Sequence, residues 1–248
     1  MLKKERHAFI MKQINLHNKV LSADLSIQLN VSEDTVRRDL NELSESDKLL
    51  KVHGGALSKS FHFPFYQNEV YAQSSKREVA IKAIKLLKEG MVVLTGGGTT
   101  MIEFAKLIPA DLEATFFTIS PLVALELAEH VKITVILIGG QLSKNAQINI
   151  GAKVINELSD IKVDICFLGA NGIDVKEGIT DSDWEVVQVK KAMIKSSAKV
   201  VILSIGEKLN SVQKMRVCGF NQITHFITDL DPQHPNLTNF NDFNIKVF

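Results

Sequence analysis

The chain is poor in cysteine and has no excess of charge of either sign. Its 248 residues include two cysteines, Cys166 and Cys218, in apolar or mixed runs without a ligand or redox motif around them. This excludes a disulfide-stapled secreted fold, and we expect both thiols to be reduced core residues. The net charge is +1, so no global field attracts the chain to nucleic acid or to a membrane. Any affinity for DNA must come from a local patch.

Long apolar runs and clusters of metal ligands are also missing. No apolar stretch approaches the ~20 residues of a membrane span, and no signal segment follows Met1. The seven histidines are scattered, so we expect no metal site, and no cofactor motif is present. With 45% hydrophobic and 23% charged residues, the composition is typical of a globular protein with one large or two modest domains. We expect a cytoplasmic location.

The strongest local signal lies in residues 31–43. Ser32 can cap a helix, because its hydroxyl can accept a hydrogen bond from a free backbone N–H two or three residues later. Val36, Leu40 and Leu43 recur at helical spacing and predict a buried stripe. The outer face then carries Glu33, Asp34, Thr35, Arg37, Arg38 and Asn41. Adjacent arginines with short polar side chains suit the major groove of DNA, whereas the alternative is an ordinary solvated helix.

The residues before this helix favour the DNA-binding interpretation. Residues 4–16 have apolar positions typical of an amphipathic helix, and residues 20–21 predict a very short strand. Ser22 is predicted to cap a second helix over residues 23–29, and Asn30 to form the turn, since asparagine tolerates the left-handed region. Two short helices joined by a tight turn form a helix-turn-helix, in which the second helix reads DNA.

A two-stranded wing is predicted over residues 48–56, where an alternating pattern ends in paired glycines. Lys51 and His53 in this wing are candidate contacts to backbone phosphate. For His53 a turn-stabilising role is the open alternative. The candidate DNA-binding residues are therefore Ser32, Glu33, Thr35, Arg37, Arg38, Lys51 and His53.

The remainder of the chain predicts a linker and an α/β domain. Residues 1–57 form the winged helix-turn-helix, residues 58–75 an aromatic-rich linker, and residues 76–248 alternate apolar strands with helices. Continuous apolar strands separated by helices favour a Rossmann-like domain with a mostly parallel sheet. Trp184 and Met193 lie at core-like helical spacing and are predicted to pack inside. The alternating pattern of the last residues, 243–248, predicts an added edge strand.

Ligands of parallel sheets bind beyond the carboxyl ends of the strands, so the candidate effector residues are those that follow each strand. A glycine loop before a helix suits an anion, because its backbone N–H groups and the helix amino terminus attract negative charge. The alternatives are a plain tight turn for this loop, a cap for Ser120, a turn residue for Asn171 and a solvated lysine for Lys208. The candidates are Gly96, Gly97, Gly98, Thr99, Thr100, Ser120, Gly140, Asn171 and Lys208.

Two motifs at matching spacing resemble the DeoR family of bacterial transcriptional regulators. They are Thr35-Val36-Arg37-Arg38-Asp39-Leu40 and Leu50-Lys51-Val52-His53-Gly54-Gly55-Ala56. The resemblance implies a regulator, more often a repressor than an activator, of genes for carbohydrate or nucleoside use. It also implies that Thr35, Arg37 and Arg38 contact DNA. Residues 76–230 resemble the effector domain of this family, whose fold is related to ribose-5-phosphate isomerase and which binds a phosphorylated sugar or a related metabolite.

Four positions depart from the family pattern. Where the family commonly has three aspartates and an asparagine, this chain has Gly96, Asn171, Ile205 and Ile119. Because aspartates bind sugar hydroxyls well, their loss favours a less hydroxylated or more apolar anionic ligand over a standard sugar phosphate.

The leading hypothesis is a homodimeric or homotetrameric DNA-binding regulator whose affinity for operator DNA depends on a small anionic metabolite. Dimeric binding predicts half-sites about 10 base pairs or a multiple apart. The alternative is a sugar-phosphate isomerase or deaminase with an accessory helical domain. That chemistry needs a carboxylate base, for which Asp181, Asp183 and Glu185 are candidates. A nucleotide sensor is disfavoured, because no dinucleotide-binding glycine fingerprint is present.

Overall fold

The computed structural model describes residues 1–17, 19–58, 71–240 and 242–248. Within these ranges the chain forms two compact units, Met1–Tyr71 and Ala72–Phe248. Each unit has its own hydrophobic core and is described by itself.

The first unit contains three helices and three short strands. In chain order they are α1 (Lys3–His17), β1 (Lys19–Leu21), α2 (Ser22–Leu29), α3 (Glu33–Glu45), β2 (Leu49–Val52) and β3 (Gly55–Ser58). The predicted stripe of Val36, Leu40 and Leu43 is confirmed, since all three side chains are buried. They pack with Ile10, Ile14, Leu25 and Leu29 from the other two helices.

The turn between α2 and α3 follows the sequence signals with one exception. Asn30 adopts the left-handed conformation with φ 51°, and the Ser32 hydroxyl accepts a hydrogen bond from the Thr35 amide, as predicted. The prediction that Ser22 caps α2 is wrong. Ser22 is the first helical residue, Leu21 occupies the cap position without a side-chain hydrogen bond, and Ser22 N donates to the Gly54 carbonyl. The strand pairing of β1 therefore fixes this helix start instead of a cap.

The predicted wing is present and slightly longer than expected. β2 and β3 pair antiparallel around a turn at His53 and Gly54, and β1 adds to the other side of β3. Gly54 has φ +75°, a backbone conformation that residues with a side chain rarely adopt. The first unit is therefore a winged helix-turn-helix.

The second unit alternates strands and helices. Its helices are α4 (Gln73–Ile84), α5 (Thr99–Lys106), α6 (Pro121–Ala128), α7 (Ala152–Ser159) and α8 (Trp184–Lys195). Its strands are β4 (Val92–Thr95), β5 (Ala114–Thr118), β6 (Ile133–Leu137), β7 (Gln141–Ser143), β8 (Ile148–Ile150), β9 (Ile165–Gly169), β10 (Gly172–Asp174), β11 (Gly178–Asp181), β12 (Val200–Leu203), β13 (Met215–Cys218), β14 (His225–Ile227) and β15 (Lys246–Val247).

Seven of these strands form one parallel sheet in the order β15-β14-β12-β9-β4-β5-β6. This confirms the predicted Rossmann-like class and the added edge strand at the carboxyl terminus. The strand order places the carboxyl ends of β4, β5, β9 and β12 side by side. The candidate effector loops follow these ends. Two small antiparallel sheets, β7-β8 and β10-β11-β13, were not predicted, because their strands are only three or four residues long.

The predicted linker over residues 58–75 differs from the structure at both ends. Ser58 belongs to β3 and pairs with Leu49, and α4 already begins at Gln73. Residues 59–70 lie outside the described residues. The aromatic composition of this range did not indicate that β3 extends into it at one end and α4 at the other.

Two core predictions have different outcomes. Met193 is fully buried, but Trp184 is 59% exposed, so its predicted packing in the core is wrong. Trp184 is the first residue of α8, whereas Met193 lies more than two turns inside it, and the buried residues of this helix begin at Val186. Cys166 and Cys218 are free and buried, as expected. In the described ranges no helix combines the length and apolarity needed to cross a membrane.

Candidate DNA-binding surface and candidate ligand site

The outer face of α3 is available to a partner. Arg37 and Arg38 have side chains 63% and 77% exposed, Glu33 and Asp34 are also exposed, and Thr35 is half-buried. At the exposed start of the helix, the Ser32 hydroxyl accepts a hydrogen bond from the Thr35 amide and forms a second hydrogen bond with the Thr35 hydroxyl. The sequence-predicted outer face is thus brought together on one surface.

Both arginines are held in ion pairs along the helix. Arg38 lies 2.5 Å from the Asp34 carboxylate and Arg37 lies 3.6 Å from that of Glu33, each one turn back. Exposed pairs of this type contribute only about 0.3–0.5 kcal/mol, because water screens both charges. The arginines can therefore exchange these carboxylates for DNA phosphates or base edges at little cost.

A buried carboxylate on the opposite side of α3 was not among the predicted functional residues. Asp39 is 2% exposed and accepts hydrogen bonds from Arg6 at 2.7 and 3.0 Å and from His7 at 3.1 Å. Burial alone would raise the pKa of Asp39, but the hydrogen bonds from Arg6 and His7 outweigh it and lower the pKa below its ordinary value. These bonds fix the rotation of α3 against α1 and leave Arg37 and Arg38 facing outward. An aspartate inside an apolar stripe was the available sequence signal.

The two wing candidates are both exposed. Lys51 on β2 donates a hydrogen bond to the Asn41 side chain, which places its ammonium group beside α3. His53 lies in the exposed turn, and its ring makes no hydrogen bond to any residue in the described ranges. The structure therefore offers no support for a turn-stabilising role of His53.

The glycine loop of the second unit joins β4 to α5. Gly98 has φ +105° and precedes the helix, and Thr99 and Thr100 form its first turn. A Cβ at Gly97 would lie 2.4 Å from the Ile148 side chain and 3.3 Å from Ser120, so glycine is required by close packing at this position. Immediately before the loop, the buried Thr95 hydroxyl has no hydrogen-bond partner among the described residues.

Two further candidates are engaged in the fold itself. Ser120 is 1% exposed and caps α6, where its hydroxyl accepts from the Val123 amide and donates to the Gln147 carbonyl. A Cβ at Gly140 would overlap the Val154 side chain and lie 2.8 Å from the Ile150 carbonyl oxygen. Capping and close packing therefore account for Ser120 and Gly140 without a ligand.

Asn171 belongs to a charged cluster that was not predicted from the sequence. Its side-chain amide donates to Asp181 at 3.0 Å, and Lys190 donates to the same carboxylate at 2.7 Å and to the Gly169 carbonyl at 2.9 Å. Asp181 is 1% exposed. Burial raises its pKa, but the charge and hydrogen bond of Lys190 lower it further, so the net shift is downward. The partners Asp181 and Lys190 lie nine residues apart and meet only through the turn before α8.

Lys208 lies beside this cluster. It is half-buried and donates to the Ala170 carbonyl at 2.8 Å, and no carboxylate among the described residues lies within ion-pair distance of it. Burial, assisted by the nearby charges of Lys76 and Lys190, lowers the pKa of Lys208 to about 7. The buried Lys76 on α4 has its pKa lowered to about 8 by burial, against the opposing effect of Glu103 and Glu207.

The glycine loop and the lysines adjoin the same segment. A Cβ at Gly169 would lie 3.7 Å from the Gly97 carbonyl, while Lys190 and Lys208 bind the carbonyls of Gly169 and Ala170. The ammonium groups of Lys190 and Lys208 thus lie on the segment that adjoins the glycine loop, where a helix amino terminus also favours negative charge, and the charge of Lys76 acts on Lys208. An anion is the ligand that this arrangement suits chemically. Within the ranges described, no group of three His, Cys, Asp or Glu side chains is placed to hold a metal ion.

Comparison with protein families gives two matches. The family described as "DeoR C terminal sensor domain" matches residues 72–230, and the "DeoR-like helix-turn-helix domain" matches residues 6–61. Both matches agree with the two units of the structure and with the resemblance inferred from the two sequence motifs.

Curated relatives match over nearly the whole chain. The HTH-type transcriptional regulator GlpR of Haloferax volcanii is 32% identical, over 92% of this chain and 91% of its own length. The HTH-type transcriptional repressor GlcR of Bacillus subtilis is 31% identical, over 94% of this chain and 90% of its own. Among solved structures, ribose 5-phosphate isomerase A from Methanocaldococcus jannaschii matches 54% of this chain and 53% of its own, with 21% identity and a TM-score of 0.40.

Proposed function

Since the chain belongs to the DeoR family of transcriptional regulators, we propose that it is a repressor of carbohydrate or related metabolic genes, with α3 as its operator-reading helix. The family membership makes it a DNA-binding regulator with a small-molecule sensor domain and not an enzyme. The relative from Bacillus subtilis is itself named a repressor, which supports this direction of control.

One observation carries the assignment of α3: two adjacent exposed arginines stand on a helix whose rotation is fixed by a buried carboxylate. Arg37 and Arg38 face outward while Asp39 is held by Arg6 and His7. An arginine that reaches a guanine edge contributes about 1–3 kcal/mol, and one that binds phosphate adds affinity for any sequence. Lys51 extends the same positive surface into the wing.

The test is a gel-shift titration of the full-length protein on the DNA upstream of its own gene. Replacing both Arg37 and Arg38 by alanine should weaken binding by at least about 30-fold, given about 1–3 kcal/mol per arginine. The matched control, Lys153→Ala with Lys191→Ala, removes the same charge from exposed positions of the sensor domain and should change binding less than threefold. Binding that survives the arginine double substitution in a folded protein would refute the assignment.

For the effector, the site at the carboxyl edge of the sheet supports an anionic, phosphorylated metabolite with few hydroxyl groups. Lys208 has a carbonyl partner but no carboxylate partner in the described ranges, and α5 begins at the adjacent glycine loop. At the four positions that depart from the family, Gly96, Ile119 and Ile205 are buried and carry no polar side chain, and Asn171 is bound to Asp181. The site is therefore rich in cations and poor in free acceptors for sugar hydroxyls.

Calorimetry with phosphate monoesters of increasing hydroxyl number, from glycerol phosphate to hexose phosphates, tests this assignment. Small monoesters should bind, their unphosphorylated counterparts should not, and Lys208→Met should abolish the signal while Lys144→Met, at an exposed position, should retain it. Trp184, the single tryptophan, is exposed three residues after Asp181 and provides a fluorescence readout. Micromolar binding of an ordinary hexose phosphate would contradict the preference for few hydroxyls.

Regulation requires that effector binding alters operator occupancy. A ligand that binds one of two conformations more tightly shifts the population towards it, and the same coupling acts on DNA affinity. Two recognition helices on half-sites one helical turn apart require at least two copies of the chain, which we propose to be a homodimer or homotetramer.

A further inference from the structure

The outer edge of the large sheet is open. β6 pairs only with β5 among the strands that the structure describes. The Ile138 amide donates to the Thr118 carbonyl on β5, and backbone groups alternate in direction along a strand. The N–H and C=O groups of Val135 and Leu137 therefore point away from the sheet. A row of outward backbone groups is a template for pairing with another strand.

The two edges of this sheet differ in protection. β15 at the opposite edge has two residues, and one of them is the exposed Lys246. Short length and a lysine are features with which proteins prevent edge-to-edge pairing. β6 has five residues, Ile133–Leu137, without a charged residue, proline or glycine. Unlike β15, it carries none of these protective features.

Apolar side chains surround this open edge. Ile136 and Leu137 are 40% and 44% exposed within β6, Val131 just before it is 97% exposed, and Leu142 just after it is 46% exposed. Exposed apolar side chains that cluster along one segment mark an interaction surface, whereas single scattered ones do not. The pairing of another strand would cover Ile136 on one face of the sheet and Leu137 on the other, together with the outward backbone groups.

We infer that β6 pairs antiparallel with β6 of a second copy of this chain, about a two-fold axis at Val135, so that two sheets become one. A two-fold contact presents the same patch from both copies, and an uncharged strand meets its own copy without repulsion. Val135 is the central residue of β6 and one of those with outward backbone groups. The inference rests on the proposed function for the need of two copies, but its own geometry comes from the sheet edge.

The experiment measures the mass of the full-length protein by light scattering during gel filtration. The wild type is expected at twice the 27.5 kDa chain mass, or a higher even multiple. Replacing Ile136 and Leu137 by lysine brings four positive charges, two from each copy, into the β6 pair within two residues of the axis, and should at least halve the mass. The control, Ile81→Lys with Val212→Lys, changes side chains of similar exposure, 42% and 53%, elsewhere and should leave the mass unchanged.

Cross-linking provides a second measurement that does not depend on the lysine variant folding. Residues directly opposite in an antiparallel pair have Cβ atoms about 4.5–5.5 Å apart, so Val135→Cys should form a disulfide between two chains under mild oxidation. Thr134→Cys, which faces the other side of the strand and does not meet its own copy, should cross-link weakly. The native Cys166 and Cys218 are 0% and 3% exposed and stay unreactive.

The outcomes separate this inference from the proposed function. A monomeric wild type, an unchanged mass of the folded lysine variant, or failure of Val135→Cys to cross-link would overturn the β6 contact. A monomeric wild type would mean that another part of the same chain covers the edge. Loss of assembly in the lysine variant, with effector binding retained, supports it. If no operator DNA is bound but assembly still depends on β6, the proposed function fails and this contact stands.

Discussion

The two units use positive charge in opposite ways. In the DNA-binding unit, Arg37 and Arg38 are exposed and paired with carboxylates one turn away. In the sensor unit, Lys76 is buried, while Lys190 and Lys208 are largely covered and bind backbone carbonyls. Water screens the first two charges, whereas burial lowers the pKa values of Lys76 and Lys208, and the nearby charges of Lys76 and Lys190 lower that of Lys208 further.

The two units therefore differ in how their positive charges are stabilised when no DNA or ligand is bound. An exposed arginine is hydrated, so its charge needs no protein partner. A buried ammonium group is costly without a partner. The fold provides Lys190 with the Asp181 carboxylate, whereas Lys208 has the Ala170 carbonyl and no carboxylate partner in the described ranges, which is why we propose it as part of an anion site.

The largest effect is expected at Asp181. Replacing it with alanine leaves Lys190 covered without its carboxylate and removes the acceptor of Asn171 and of the Ser182 amide. Breaking a buried ion pair from one side typically costs about 3–5 kcal/mol. Chemical denaturation should show a loss of this size. Glu157→Ala, which breaks the exposed pair with Lys153, should cost less than about 0.5 kcal/mol, and equal losses for both variants would remove the distinction drawn here.

The second effect concerns the pH dependence caused by Lys208. Its pKa in the folded protein is about 7, below the ordinary value of 10.5, so the unfolded state binds more protons between these values. Stability therefore rises with pH across this window. Relative to Lys208→Met, which does not titrate, the wild type should gain on the order of 2 kcal/mol between pH 7 and 10, after allowing for partial exposure.

The groups that face Lys208 set this behaviour. Burial lowers its pKa most, the charges of Lys76 and Lys190 lower it further, and Asp181 raises it. Effector binding should weaken over the same range, because an anion binds the charged form. Denaturation curves at several pH values, with Lys144→Met as the exposed control, provide the measurement. A constant stability difference between wild type and Lys208→Met would show that Lys208 keeps an ordinary pKa.

The sequence predicted the DNA-binding unit more completely than the sensor site, for a physical reason. Contacts such as Ser32 with Thr35 join residues within one helical turn, and the stripe of Val36 and Leu40 follows from helical periodicity. The gathering of the candidate loops beyond the carboxyl ends of the strands was also foreseeable, because parallel α/β units place these loops together.

The lysine cluster was not foreseeable, because its members are distant in sequence. Lys76, Lys190 and Lys208 come from α4, α8 and the turn after β12, and only the strand order brings them to one place. Trp184 shows the converse, since its helical spacing was that of a core residue but its position at the helix start leaves it exposed. Helical periodicity predicts the face of a helix on which a residue lies. It does not predict whether other elements cover that part of the helix.

A third, smaller effect is expected at Ser32. Its hydroxyl satisfies the Thr35 amide at the start of α3, so Ser32→Ala should cost about 1 kcal/mol, whereas Ser32→Gly should cost only a few tenths. Thermal unfolding of the full-length protein should show this difference in the transition of the DNA-binding unit. If both variants lose the same amount, the hydroxyl does not stabilise the helix start.

The smallest change in stability is expected at Asp34, and it bears directly on the exposed arginines. Asp34→Asn removes the carboxylate that holds Arg38, at a cost of no more than about 0.5 kcal/mol for an exposed pair. The same substitution frees the guanidinium group and removes a negative charge from the DNA-facing surface, so operator affinity should rise a few-fold at low salt. This gain should disappear in the Arg38→Ala background, because the carboxylate acts through that arginine.

A double-mutant cycle in the gel-shift titration measures the coupling between Asp34 and Arg38. An equal gain with and without Arg38 would mean that Asp34 repels the phosphates directly, and that the ion pair does not restrain the arginine.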